Sequence, residues 1–267
     1  MVNCKKNRLD IILVEKGYFP TREKARVAIM EGKIFVNNIK EDKPGTFIKY
    51  DSEIIYKGET LKYVSRGGLK LEKATKVFHI DYVGKICMDI GSSTGGFTDL
   101  MLMNGAKRVY AIDSGTNQLD YKLRIDDRVI VKENTNARFL VKDDYEDIDI
   151  ITIDVSFISL KKIIPVAKSL LKNDGHIIAL IKPQFEAGRE LVEKNGVIKN
   201  IVTHKNVVND IIDFCKGEDL GILGLDFSPI KGPAGNIEFL IYLSKSNYAY
   251  DLPNVDDIVE LAHESLN

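Results

Sequence analysis

The stretch Asp89-Ile90-Gly91-Ser92-Ser93-Thr94-Gly95-Gly96-Phe97 joins an apolar run to a helical pattern, and the next apolar run ends at Asp113. Glycines packed this densely let the backbone approach a ligand with no β-carbon in the way. The spacing is not G-x-G-x-x-G, because Ser93 stands where the second glycine would fall, so a dinucleotide held by its pyrophosphate is disfavoured. An acidic residue at the end of the second strand suits the ribose hydroxyls of an adenosine. Two more charged residues close apolar runs. Asp154 follows Ile148–Ile153, and Lys182 follows Ile177-Ile178-Ala179-Leu180-Ile181 and precedes Pro183. A lysine in that place is either a base shielded from water or a cation that snorkels to solvent.

The spacing D-x-G-x-x-x-G-G, supplied by Asp89, Gly91, Gly95 and Gly96, resembles the cofactor loop of S-adenosylmethionine-dependent methyltransferases. Ser92, Ser93, Phe97, Asp113 and Asp154 are expected around the same cofactor, and no metal is required. Three acceptors can then be weighed. Methylating a cytosine carbon needs a thiolate, but Cys87 lies inside a strand, Cys215 in a late helix and Cys4 near the start. Amino-group methylation of a base calls for an Asp/Asn-Pro-Pro-aromatic run, and Asp154-Val155-Ser156-Phe157 fills that place without either proline. A ribose hydroxyl is a poor nucleophile until it loses its proton, which needs a base that burial and nearby cations make easy to deprotonate. Lys182 suits that task. Base methylation through Asp154 and Phe157 stays open beside it.

These residues need a frame. From Lys85 onward strand and helix patterns alternate, with strands expected at 86–90, 108–112, 128–132, 148–153, 176–181, 220–226 and 237–243. Seven such strands predict an α/β, Rossmann-like, doubly wound parallel sheet with helices on both faces, whose ligands bind beyond the carboxyl ends of the strands. The residues singled out above lie at those ends.

Before this frame comes a small α+β unit, expected over residues 1–60. Leu9, Ile12 and Leu13 recur at helical spacing; Thr21 can cap a second helix whose apolar face is Ala25, Ala28 and Ile29, and Gly32 ends it. Short strands follow at Lys33–Val36, Phe47-Ile48 and Glu53–Tyr56, with a turn at Asn37-Asn38. Arg22 and Arg26 share a face of the second helix, with Lys24 and Lys33 near it. Guanidinium groups placed this way can grip phosphate, or they can simply be solvated. Residues 61–68 read as a linker through Ser65-Arg66-Gly67-Gly68, which adds Arg66 to the basic set, and the larger domain is expected over 69–267.

Charge supports the division. Residues 1–76 hold 17 basic and 10 acidic side chains, whereas the whole chain of 267 residues has a formal charge of −1. A basic module on an acidic body fits one that holds a polyanion. The three scattered cysteines indicate neither a disulfide framework nor a cysteine-rich zinc site. With no apolar run long enough to span a bilayer, the chain reads as cytoplasmic.

Arg8-Leu9-Asp10, Gly17, Thr21-Arg22, Ala25, Ile29, Gly32, Val36-Asn37, Lys43-Pro44 and Asp51 resemble the RNA-binding domain named after ribosomal protein S4, the αL motif. That resemblance implies docking on structured RNA through Arg22, Lys24 and Arg26. Lys70, Asp154, Lys182 and Glu238 resemble, in order and context, the Lys-Asp-Lys-Glu catalytic tetrad of FtsJ-like ribose 2′-O-methyltransferases. An S4-type domain joined to such an enzyme through Tyr63-Val64-Ser65-Arg66-Gly67-Gly68 is similar to the TlyA family, also labelled hemolysin A, although some members carry tryptophan where this chain has Tyr63. The resemblance implies 2′-O-methylation of cytidine in ribosomal RNA, with ribosomal RNA or a ribosomal subunit as partner. Two other classes remain, a membrane-damaging protein and a non-catalytic RNA-binding factor. Residues 186–200 are either a lid or a surface loop.

Overall fold

The computed structural model describes residues 6–57, 62–193, 195–246 and 254–266, and the chain divides into two compact units, Met1–Thr60 and Leu61–Asn267. Cys4 and Leu61 lie outside the described residues.

In the smaller unit, β1 (Lys6–Arg8) leads into α1 (Leu9–Glu15), and α2 (Arg22–Met30) follows. Thr21 caps α2 by accepting a hydrogen bond from the Lys24 backbone. Gly32, at φ 67°, takes the left-handed turn just past the helix end. Next come β2 (Ile34–Val36), β3 (Ile39–Glu41), β4 (Phe47–Lys49) and β5 (Ile54–Tyr56). Strands β2 and β3 form a hairpin through Asn37 and Asn38, both with positive φ, as a tight two-residue turn of this hand demands. The sheet order is β3-β2-β5, with β1 and β4 as a separate antiparallel pair. Leu9, Ile12, Leu13, Ala25, Ala28 and Ile29 form the core between the two helices and the sheet.

The larger unit opens with α3 (Gly67–Val77), β6 (Ile86–Ile90), α4 (Gly96–Met103) and β7 (Arg108–Ile112). It continues through α5 (Tyr121–Arg124), β8 (Val129–Lys132), β9 (Ile148–Ile153), α6 (Ile164–Leu170), β10 (Leu171–Ile181) and α7 (Pro183–Glu186). The last elements are α8 (Ile201–Gly217), β11 (Gly221–Phe227), β12 (Phe239–Ser244) and α9 (Val255–Leu266). Their seven strands make one sheet in the order β11-β12-β10-β9-β6-β7-β8. Apolar clusters cover both of its faces, so its strands are nearly continuous hydrophobic runs.

The sheet corrects the all-parallel expectation. Strand β12 runs antiparallel to both β10 and β11, while the pairs among β6, β7, β8, β9 and β10 are parallel. This reversal matters for chemistry, because it brings the start of β12 to the edge where the parallel strands end. Ile181, the last residue of β10, pairs with Phe239, the first of β12. Lys182 and Glu238 therefore leave the sheet at the same edge, although Glu238 precedes its strand rather than lying within it. Strand order reverses at β6, which has β7 on one side and β9 on the other, and a crevice is expected at that switch point.

The expected linker is part of this unit. Tyr63 is buried in its core, the Val64 backbone donates to Asp99, and α3 already begins at Gly67. A β-carbon on Gly68 would lie 2.5 Å from the Tyr63 ring, so the junction and the helix start are packed together. Between residues 186 and 200, the Glu193 and Val197 backbones pair, and Ile198 is buried with its N–H donating to Asn236.

Candidate active site

A cavity of about 410 Å³ opens at the switch point. Gly91, Ser93, Asp113 and Asp154 line it, together with Gln118, Asn136, Arg138, Ser156 and Phe157. Gly91 has φ 86°, and a β-carbon there would come within 2.7 Å of the Asp154 carbonyl oxygen. Only glycine lets the strand end turn beneath the cavity without blocking it. Asp113 ties the walls together, accepting from the Ser93 backbone at 2.8 Å and the Gly115 backbone at 2.7 Å. A carboxylate has about four acceptor positions, so capacity remains for ribose hydroxyls. Volume, exposed glycine backbone and two carboxylates fit a nucleoside with a cationic substituent.

Asp89, expected among the cofactor's contacts, does not line this space. It is fully buried, with one carboxylate oxygen accepting from the Thr98 backbone and hydroxyl and the other from the Thr152 hydroxyl. It thus clamps the first turn of α4 to β9. Ser92, Gly95, Gly96 and Phe97 also lie off the cavity lining. Phe97 is core, Gly95 packs on Leu119 and Leu123, and a β-carbon on Gly96 would fall 2.7 Å from the Gly68 backbone nitrogen. They shape the wall and let α3 close onto α4.

Burial pushes the Asp89 carboxyl from 3.8 up to about 7, against the opposing hydrogen bonds from Thr98 and Thr152. Because the folded value is raised, the stability contributed by the neutral acid is complete below about pH 4 and is lost as pH rises toward 7. Asp89→Asn should match the wild type at pH 4 and be the more stable protein at pH 8. Urea midpoints at the two pH values measure this; an equal offset at both would contradict it.

Beside the cavity stand four charged side chains. Lys182 Nζ lies 2.7 Å from Asp154 Oδ1 and 3.0 Å from Ser156 Oγ. Lys70 Nζ is 2.6 Å from Glu238 Oε2 and 3.7 Å from Asp154 Oδ2, so Asp154 bridges the two lysines. Lys70 and Lys182 are 7% and 8% exposed and Glu238 1%, values that exclude the snorkelling alternative for Lys182. Burial works to lower the Lys70 pKa, but the charges of Asp154 and Glu238 outweigh it and hold Lys70 above its ordinary value. Burial raises Glu238, with Lys70 pulling the other way. Lys70 is thus an ammonium tied to its own carboxylate rather than a bare cation beside Lys182. Position follows from sequence locally. Pro183 restricts Lys182 to extended backbone and starts α7, so β10 must stop there.

The two cysteines among the described residues support no thiolate chemistry. Cys87 and Cys215 are both fully buried; burial pushes the Cys87 thiol up, and that of Cys215 up to about 12.

Known proteins share this frame. The model for FtsJ-like methyltransferases matches residues 63–245, more than half of the chain, and the S4 domain model matches residues 7–54. The chain belongs to the FtsJ-like methyltransferase family. A Bacillus subtilis relative, YqxC, named for rRNA methylation, is 49% identical over 99% of this chain and 97% of its own length. The Mycobacterium tuberculosis 16S/23S rRNA (cytidine-2′-O)-methyltransferase TlyA is 34% identical over 97% of this chain and 98% of its own. A solved Streptococcus thermophilus protein that carries a hemolysin name superposes with TM-score 0.77 at 46% identity, covering 98% of this chain and 97% of that one. The FtsJ-like match encloses Lys70, Asp154, Lys182 and Glu238, and also the cavity.

In the S4 unit the expected RNA contacts differ from one another. Arg26 is exposed on α2. Arg22 donates from Nε to the buried Asp10 carboxylate at 3.0 Å, and Arg8 shares the same carboxylate. Half of the Arg22 fork is therefore committed inside the fold. Lys24 is exposed, Lys33 pairs with Glu31 at 2.6 Å, and Arg66, exposed, belongs to the larger unit. Sequence reasoning missed Ser156, Gln118, Asn136 and Arg138. The run Thr135-Asn136-Ala137-Arg138 just beyond the third strand of the sheet was the available signal, since ligands sit at strand ends.

Proposed function

We propose that the protein transfers a methyl group from S-adenosylmethionine to the ribose 2′-hydroxyl of a cytidine in ribosomal RNA. The observation that carries the reading is the buried Lys70-Glu238 pair and, beside it, the pairing of buried Lys182 with Asp154 at the rim of a nucleoside-sized cavity. Its placement in the FtsJ-like family and the names of its full-length relatives support the same substrate. Working on ribosomal RNA, it acts in the cytoplasm.

S-adenosylmethionine, when bound, supplies an electrophilic methyl on a sulfonium sulfur. Asp113 and the backbone at Gly91 would hold its nucleoside part. Lys182 is placed to take the proton that the 2′-hydroxyl would give up on receiving that methyl, and S-adenosylhomocysteine would be left as the product. Asp154 offsets the charge that Lys182 gains, and Glu238 keeps Lys70 paired so that Asp154 remains available. Three buried ionisable groups gathered around Asp154 are costly to a fold unless they serve such a step. Among the described residues no helix is long and apolar enough to cross a membrane, so the hemolysin names of relatives find no helical span here.

Arg22 and Arg26, with Lys24, are assigned to phosphate contacts. Replacing both arginines by alanine should weaken binding to ribosomal RNA and lower the salt slope by roughly one for each phosphate no longer neutralised. Affinity for S-adenosylmethionine should not change. Filter binding across a salt series, with calorimetry for the cofactor, tests both; an unchanged slope would remove these residues from the interface.

A further inference from the structure

Ser156 is unassigned by the tetrad, yet its hydroxyl oxygen is 3.0 Å from Lys182 Nζ and the residue lines the cavity. An amine nitrogen has four tetrahedral positions, one of them the bond to its own carbon. On Lys182, Ser156 Oγ at 3.0 Å takes one of the other three as a hydrogen bond, Asp154 Oδ1 stands 2.7 Å away, and among the described residues no third partner is present. The Asp154 contact is an ion pair set at a poor angle for a hydrogen bond, so Ser156 is the aligned partner. The Asp154 carboxylate is negative and repels a lone pair, so the amine keeps an N–H rather than its lone pair on that side. If Ser156 accepts the second N–H, the neutral amine has one direction left, and that direction holds its lone pair. Without Ser156 the amine can rotate about its last bond and present an N–H where a base must present the lone pair.

Backbone geometry keeps the hydroxyl in place. Ser156 lies two residues beyond Asp154, where the chain leaves β9, and Phe157 then turns at φ 64°, a left-handed conformation that a bulky residue seldom adopts. Phe157 is 91% exposed but meets the Phe185 ring at 5.1 Å, one residue past Gln184 on α7, the helix that begins just after Lys182. The two segments carrying Ser156 and Lys182 are thus braced against each other.

We infer that Ser156 is a positioning residue that fixes the rotation of the Lys182 amine and aims its lone pair at the acceptor hydroxyl. The inference rests on the proposed role of Lys182 as base. As Lys182 becomes an ammonium, its bond to the Ser156 oxygen also strengthens, so part of the effect belongs to the transition state.

Ser156→Ala, Ser156→Thr and Lys182→Ala are compared in the full chain on ribosomal subunits, with S-adenosylmethionine affinity measured separately by calorimetry. In Ser156→Ala, kcat should fall about 10-fold, the scale of one hydrogen bond to a charged group. Because Ser156 also lines the cavity, affinity for S-adenosylmethionine should change by less than kcat does, and the acid limb of the pH–rate profile should move to lower pH, because an acceptor for the ammonium is gone. Ser156→Thr, which restores the hydroxyl, should recover most of the rate. Unchanged kcat, or a loss that appears only as weaker S-adenosylmethionine binding, would overturn the inference while an inactive Lys182→Ala upholds the base. A fully active Lys182→Ala would instead refute the base itself.

Discussion

Lys182→Ala should bind S-adenosylmethionine and RNA as the wild type does and lose methyl transfer by about 10²- to 10⁴-fold, the usual contribution of a general base. The side chain lies next to the cavity through Asp154 and Ser156 but is not among its lining residues, so deleting it removes a proton acceptor rather than a wall. Lys182→Arg is the sharper form. It keeps a cation near Asp154 but one that cannot be deprotonated in a protein, so it should be as inactive as alanine. Single-turnover transfer under saturating cofactor measures both. Arginine near the wild-type rate would mean that charge, not proton removal, is the contribution of position 182.

The second large effect falls on stability as well as rate. Lys70→Met would leave Glu238, 1% exposed, without the ammonium 2.6 Å away. Breaking a buried pair by removing one partner costs about 3–5 kcal/mol, because the other charge stays behind in a dry site. Removing both partners does not have that consequence. Lys70→Met with Glu238→Met should recover most of the lost stability, yet it should remain a poor enzyme, since Asp154 loses its bridge between the lysines. Urea unfolding and methyl transfer measured on the same three proteins separate the two effects. If the double variant regained full activity, the Lys70-Glu238 pair would be structural only.

Much of this site was legible because sheet architecture ties function to strand ends. Asp113, Asp154 and Lys182 stood out as charges closing apolar runs, and each closes a strand or directly follows one. The glycine turn was legible for a similar reason, since Gly91 is obligatory where backbone meets backbone. What could not be read was direction. Alternation of apolar residues is the same for parallel and antiparallel neighbours, so the reversal of β12, which delivers Glu238, was invisible to periodicity. Asp89 shows the opposite limit. A carboxylate beside a glycine turn looks like a ligand contact, and only its burial against Thr98 and Thr152 shows it to be a clamp.

In the S4 unit, helical spacing placed Arg22 and Arg26 on one face but could not show Asp10 reaching Arg22 across twelve residues. Ser156 escaped because the partner of its hydroxyl, Lys182, lies 26 residues away in the chain. Pairings between strands bring such groups together, and no local pattern records them.

The most direct test of the proposed reaction is the position of the transferred methyl. Ribosomal subunits lacking the modification are incubated with the protein and methyl-labelled S-adenosylmethionine, and the RNA is digested to nucleosides and split into base and sugar. The label should stay with the ribose of cytidine, and it should be absent from a parallel reaction with Lys182→Ala. Label recovered on a base, or undiminished in the Lys182→Ala reaction, would contradict the ribose acceptor or the base assigned to it.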